Sequence, residues 1–253
     1  MKILGVIPAR YDSSRFPGKC LVDIQGKSMV RHVYERSVQS KSLDKVIVAT
    51  DDQRIFNEIE NNGGNAVMTS MNHRNGTERC SEVLDKVEED YDYIINIQGD
   101  EPFINPEQID ILASCLDGDT ELGTLVRHET DMTVLDSPTE MKVVLNKNME
   151  AMYFSRSVIP FVRDIKKAQW AQKHKFYLHV GIYAYRTDVL KQIVKLTAGE
   201  LEMTELLEQL RWLENGYKIK VALTTHESFM IDTPEDLEAA LLHFSRKGIS
   251  ISS

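Results

Sequence analysis

Three cations fall within ten positions, Arg10, Arg15 and Lys19 in IPARYDSSRFPGK, directly after an apolar run. Guanidinium forks and an ammonium grouped in this way satisfy several oxygens of one polyphosphate, each charge-assisted hydrogen bond contributing about 1.5–3 kcal/mol. Gly18, beside Lys19, lets the backbone come close to such a ligand. A solvated surface turn is the plainer alternative. The loop is no Walker A loop, because Lys19 precedes Cys20 and G-x-x-x-x-G-K-[ST] is absent, and no G-x-G-x-x-G fingerprint occurs.

Two aspartates add to the set. Asp100 in NIQGDEP and Asp232 in FMIDTPEDL each follow an apolar stretch, where a carboxylate can hold a hard divalent cation. Around Asp232, Thr233 supplies a helix cap, Pro234 the first turn and Asp236 the return bond of a capping box, which releases Asp232 from capping. A structural cap is the competing reading for both aspartates. Glu101 reads as a charge placed for a helix dipole. Mg2+ takes one or two protein carboxylates and completes its octahedron with water and phosphate oxygens, so two isolated aspartates suit it.

The elements that must position these residues follow a βαβ rhythm. KILGVIP, KVIVAT and YIINIQ read as buried strands, with SMVRHVYERSVQS and DDQRIFNEIENNGG as helices and a further helix starting at Asn105–Pro106. Parallel α/β sheets bind ligands at the carboxyl ends of their strands, so the loops after Ile7, Thr50 and Ile97 are expected on one rim. Beyond about residue 120 the pattern is mixed. LGTLV, MKVVLN and YLHVGIYAY read as strands, and 163–175 as a mobile loop. MTELLEQLRWLENG reads as one helix with Leu206, Leu210 and Leu213 on one face, KIKVAL as a strand and DTPEDLEAALLHF as a closing helix. The expected fold is α/β, a Rossmann-like core over 1–120 joined without a linker to a smaller α+β portion over 121–253, as one integrated domain.

Bulk properties narrow the partners. The 253 residues are 42% hydrophobic and 27% charged with mean hydropathy −0.31, an ordinary globular composition. A net charge of −9 argues against nucleic acid or an anionic membrane surface, and no apolar run reaches the roughly 20 residues of a membrane span. Cys20, Cys80 and Cys115 lack paired spacing and read as reduced thiols, in keeping with a cytoplasmic location, and the seven histidines show no metal spacing.

Taken in order, IPARYDSSRFPGK, VATDD, HRNGTER, NIQGDEP, YFSR, HVGIYAY, LEQLR and IDTPEDL resemble the 3-deoxy-manno-octulosonate (Kdo) cytidylyltransferase family, from about Ile3 to Leu241. The resemblance implies a nucleotide-diphospho-sugar transferase fold, Mg2+ dependence, a homodimer, and transfer of CMP from CTP to Kdo with release of diphosphate for lipopolysaccharide biosynthesis. It implies that Arg10, Arg15 and Lys19 cradle the triphosphate, that Asp100 and Asp232 hold the metal, and that Ala9, Asn75 and Gly76 at a turn, Arg79 and Gln98 contact the nucleotide. Arg163, His179, Tyr183, Glu208 and Gln209 match its sugar positions. From the residues alone, Arg79 reads equally as a helical surface cation, Tyr183 as core, His179 as a satisfied strand histidine, and Glu208 with Gln209 as a wet helix face. Cys20 and Met230 stand where the family commonly has Pro and Gly. The alternatives are a synthetase for 8-amino-Kdo or a sialic-acid-like sugar, or a silent sensor that binds CTP without turnover.

Overall fold

A computed structural model describes residues 1–13 and 15–246, and its contacts divide the chain into two compact units. The first comprises Met1–Asp110 and the chain from Glu227 onward. Its strands β1 (Ile3–Ala9), β4 (Lys45–Thr50), β5 (Ala66–Met68) and β6 (Tyr93–Asn96) pair in the order β6-β1-β4-β5, all parallel. A short hairpin, β2 (Asp23–Ile24) and β3 (Lys27–Ser28), leads into α1 (Met29–Ser37). Helices α2 (Gln53–Glu60) and α3 (Gly76–Lys86) connect later strands, and α4 (Pro106–Ala113) follows β6. Leu4, Val6, Ile7, Val48, Ile94 and Ile95 are wholly buried, each contributing about 1.5–3 kcal/mol of apolar transfer, which is why these β-branched runs settle as central parallel strands.

The division falls at Asp110–Ile111, within α4 and upstream of the position near 120 where the strand pattern turns mixed. The second unit, Ile111–His226, contains β7 (Leu122–Glu129), α5 (Met132–Asp136), β8 (Lys142–Leu145), β9 (Ala151–Ser155), α6 (Trp170–Lys173), β10 (Phe176–Arg186), α7 (Thr187–Ile193), α8 (Glu200–Glu205), α9 (Glu208–Glu214) and β11 (Ile219–Leu223). Here β11 runs parallel to β7, while β7–β10, β10–β8 and β8–β9 are antiparallel. Helix α10 (Pro234–Arg246) closes the first unit. The chain is therefore α/β with a mixed set of strands, as expected.

Two local expectations change. The helix read over 203–216 is broken: Leu206 takes a left-handed backbone at φ 54° and is 73% exposed, whereas Leu210 is buried, so the leucines do not share one face. Within 163–175 the chain forms a 3-10 turn at Lys167–Gln169 and then α6, anchored by Trp170, whose Nε1–H donates to Ile165 O at 3.0 Å. No helix among the described residues is long and apolar enough to cross a membrane.

Candidate functional site

Because β4, β1 and β6 are parallel neighbours, their carboxyl ends share one edge. A cleft of about 350 Å3 opens there, wholly within the first unit, and is lined by Ala9, Arg10, Arg15, Lys19, Asn75, Gly76, Arg79, Gln98, Asp100 and Asp232. Residues that the sequence scatters over more than two hundred positions thus meet in one concavity of ligand-binding size.

The loop after β1 is closed by Gly18 N–H donating to Tyr11 O at 3.0 Å. Gly18 has φ +72°, and a Cβ there would stand 3.0 Å from the Tyr11 ring. The glycine is thus required by a left-handed turn packed on Tyr11, a structural reason that the sequence did not show. Arg54 covers Tyr11 with its guanidinium 3.3 Å from the ring centroid. A second close approach sits across the cleft floor, where a Cβ on Gly99 would lie 2.7 Å from Pro8 O.

Lys19 is the centre of the site. Its Nζ donates to Asp100 Oδ2 at 2.7 Å, Asp232 Oδ1 at 3.0 Å and Ile231 O at 3.1 Å, and Arg15 pairs with Asp232 Oδ2 at 2.9 Å. Burial alone would lower the lysine's affinity for its proton, but Asp100 and Asp232 outweigh this and raise it, so the ammonium stays charged. Asp232 is available because the capping box forms as read: Asp236 N–H donates to Thr233 Oγ1 at 3.2 Å, and Thr233 N–H to Asp236 Oδ2 at 2.8 Å. Asp100 keeps its other oxygen, Oδ1, buried without a hydrogen-bond partner. A buried carboxylate oxygen left unsatisfied beside a second carboxylate is the donor arrangement a hard divalent cation takes.

Cys20 lines the same cleft but is nearly inaccessible, and burial, with Asp100 nearby, pushes its thiol up to about 11, so it offers no nucleophile near neutrality. Met230 also lines it, and its φ is not positive, so this position needs no glycine.

The far wall is the start of α3. Asn75 caps it, accepting from Glu78 N–H at 2.9 Å, and Gly76 is its first residue, so the expected turn is a helix N-terminus. Amide donors at such a terminus favour an anionic or carbonyl-rich ligand. Arg79 is 3% exposed, which rules out a surface cation. One of its terminal nitrogens binds Asp51 Oδ2 at 2.7 Å, and the other binds the Thr69 hydroxyl. Sequence reasoning passed over Asp51, Thr69 and the cleft residues His73 and Arg74, although His73 and Arg74 open HRNGTER and Asp51 lies in VATDD. Glu101 does not decorate a helix: it is 4% exposed and accepts from Ser228 Oγ at 2.5 Å.

The proposed sugar residues lie in the second unit. The β10 register jumps so that Val180 and Tyr183 oppose the successive residues Leu125 and Thr124, which leaves His179 and Tyr183 with ring centroids 5.0 Å apart. His179 Nε2 shares a hydrogen bond with Thr124 Oγ1 at 2.9 Å, while His179 Nδ1, Tyr183 OH and Trp212 Nε1 are buried without partners. Burial pushes His179 down to about 3, so the ring is neutral. Burial first, then Tyr185 and then Glu208 at the start of α9 raise the Tyr183 hydroxyl's affinity for its proton, and Gln209 is buried beside Glu208 in sequence. Arg163 stands apart, an exposed side chain paired with Asp164 at 3.0 Å. Trp212 was not foreseen, having read only as part of a helix. Among the described residues, no cluster of three or more His, Cys, Asp or Glu is arranged for a metal.

A protein-family model described as cytidylyltransferase matches residues 4–219. The 3-deoxy-manno-octulosonate cytidylyltransferase of Parabacteroides distasonis is 54% identical over 252 residues, spanning 98% of this chain and 100% of that protein. Its counterpart in Bacteroides thetaiotaomicron is 50% identical over 244 residues, spanning 95% and 97%. Among solved structures, a CMP:2-keto-3-deoxy-manno-octonic acid synthetase complexed with CTP matches with a TM-score of 0.90 at 41% identity, over 98% of this chain and 100% of that one. A 4-diphosphocytidyl-2C-methyl-D-erythritol synthase from Anaerococcus prevotii, at TM-score 0.63 and 14% identity over 97% of each chain, shares the fold alone. Cleft, motifs and full-length similarity agree, and the chain belongs to the 3-deoxy-manno-octulosonate cytidylyltransferase family.

Proposed function

We propose that the protein transfers CMP from CTP to Kdo, giving CMP-Kdo and diphosphate. The observation that carries this reading is the Lys19 node, one ammonium held by Asp100 and Asp232 inside a cleft that also presents Arg10 and Arg15. The sugar hydroxyl attacks the α-phosphorus in line, its oxygen–phosphorus bond forms as the α–β bridging bond breaks, its proton passes to water, and diphosphate leaves with the negative charge. Such transfers need positioning and charge neutralisation rather than a covalent intermediate, so the reading asks for no nucleophile–base pair in the cleft. Lys19, Arg10 and Arg15 neutralise the triphosphate, Asn75 and Gly76 orient the nucleoside from the α3 terminus, Gln98 and Ala9 line its path, and Arg79 holds that wall through Asp51.

Asp100 and Asp232 would hold a divalent cation, Mg2+ by the preference for hard oxygen donors, with Asp100 Oδ1 as the waiting ligand. When bound, such an ion supplies Lewis-acid neutralisation of phosphate oxygens. The sugar reading is supported by the three unsatisfied buried donors or acceptors at His179, Tyr183 and Trp212, with Glu208 and Gln209 as hydroxyl partners, whereas Arg163, exposed and paired with Asp164, is assigned to the carboxylate by the resemblance alone. In this reading the first unit binds nucleotide and the second sugar.

A homodimer belongs to the same proposal. Phe161 and Leu206 are 74% and 73% exposed, Met152 and Met203 are also exposed, and Arg156 both reaches toward Leu206 O and lines a concavity with Phe161. Exposed apolar groups of this kind mark association surfaces. Reduced thiols and a CTP substrate fit a cytoplasmic step that supplies lipopolysaccharide synthesis. The test is diphosphate release with Mg2+, crossing four nucleoside triphosphates with Kdo, 8-amino-Kdo and sialic acid. CTP with Kdo is expected to give the highest kcat/KM, and no release with any pair would overturn the proposal in favour of a silent sensor.

A further inference from the structure

The segment 227–232, which carries Asp232, has no regular secondary structure to hold it. It is tied to the loop after β6 by two bonds. Ile231 N–H donates to Asp100 O at 2.9 Å, and Ser228 Oγ donates to Glu101 at 2.5 Å, linking positions 127 apart in the chain. Glu101 is buried and cannot follow the segment if it moves, so the bond anchors the segment to a fixed point. Beneath it, Ile231 is wholly buried in a cluster with Phe103, Ile24 and Met29, against which Phe16 and Phe229 also pack. The metal carboxylates are therefore borne by two stretches of chain that the Lys19 ammonium bridges and that Asp100–Ile231 and Glu101–Ser228 tie together.

We propose that Ser228 and Glu101 are positioning residues for the divalent cation: their hydrogen bond fixes the 227–232 segment so that the Asp232 carboxylate stands beside Asp100. This rests on the reading of Asp100 and Asp232 as the metal site. A rigid pair of carboxylates binds an ion without first ordering a loop, and loss of the hydrogen bond that fixes the segment adds that ordering cost to binding. The bond itself is what counts, so an amide oxygen at position 101 serves as well as a carboxylate.

The test is calorimetric titration of CTP into the protein, once with saturating Mn2+ and once with EDTA, the ratio of the two affinities being the readout. Ser228→Ala is expected to reduce that ratio about three- to tenfold, to leave the affinity in EDTA unchanged, and to speed hydrogen exchange at the Ile231 amide. Ser228→Thr, which keeps the hydroxyl, and Glu101→Gln, which keeps an acceptor, are expected to stay near the wild-type ratio. Asp100→Asn separates the two ideas. If it abolishes the ratio while Ser228→Ala leaves both ratio and exchange untouched, the positioning role is overturned and the metal site stands. If Asp100→Asn preserves the ratio, the metal reading falls and the positioning role falls with it.

Discussion

Replacing Lys19 with alanine removes an ammonium that donates to Asp100, Asp232 and Ile231 at 2.7, 3.0 and 3.1 Å, and two effects of different size follow. Stability falls first. Stripping one partner from a fully buried ion pair costs about 3–5 kcal/mol. Here the carboxylates are 20% and 24% exposed and Arg15 still pairs with Asp232, so water and Arg15 reduce the loss to about 1–2 kcal/mol, a drop in melting temperature of roughly 2–8 °C. Catalysis falls further, because a preorganised donor facing developing phosphate charge is worth about 10²–10³ in rate. The lysine's affinity for its proton is raised, so its contribution is fully present below the ordinary value of 10.5 and is lost only as pH rises through the higher folded value. The stability penalty should therefore be flat from about pH 6 to about pH 9. Diphosphate release from CTP and Kdo measures the rate, and circular dichroism on the same samples measures folding. A folded variant with kcat/KM within about threefold of wild type would refute the role and leave Lys19 as a structural bridge.

Other outcomes follow from the same geometry. Gly99→Ala places a Cβ 2.7 Å from Pro8 O, a backbone atom of the central strand, and should lower CTP affinity at least tenfold by prising apart the loops after β1 and β6, measurable by calorimetry. Thr233→Ala deletes the α10 cap and should cost about 1 kcal/mol, or roughly 2–4 °C in melting temperature, with a larger loss of activity than of stability because Asp232 adjoins the cap. For Glu82, burial pushes the carboxyl up, but Lys86, the Ser70 amide and His73 outweigh it and hold it at about 2. A depressed acid contributes above its unfolded value of 4.5 and loses the contribution as pH falls toward 2. Glu82→Gln should thus lower the melting temperature at pH 7, with the difference from wild type shrinking through that acid window.

Local chemistry was legible in the chain itself. The strands at 45–50 and 219–223, the Thr233–Pro234–Asp236 box and the cation-rich loop are written in adjacent residues, because apolar period, cap chemistry and proline geometry act over a few positions. Asp232 could be set aside for another task on that ground alone, and the motifs in order pointed to the nucleotide chemistry. What sequence could not decide is where a side chain spends its hydrogen bonds. Arg79 and a surface cation look alike until Asp51 and Thr69 surround it, and Glu101 looked like helix decoration until Ser228 reached it across 127 positions. Gly18 read as room for a ligand, and the folded loop adds a second reason for it, a left-handed turn packed on Tyr11. The helix over 203–216 broke at Leu206 because burial of Leu210 and Trp212 in the folded unit overrode a continuous helical pattern. Sequence determined which groups could bind a nucleotide tail; long-range packing alone decided that Lys19, Asp100 and Asp232 would share one ammonium's reach.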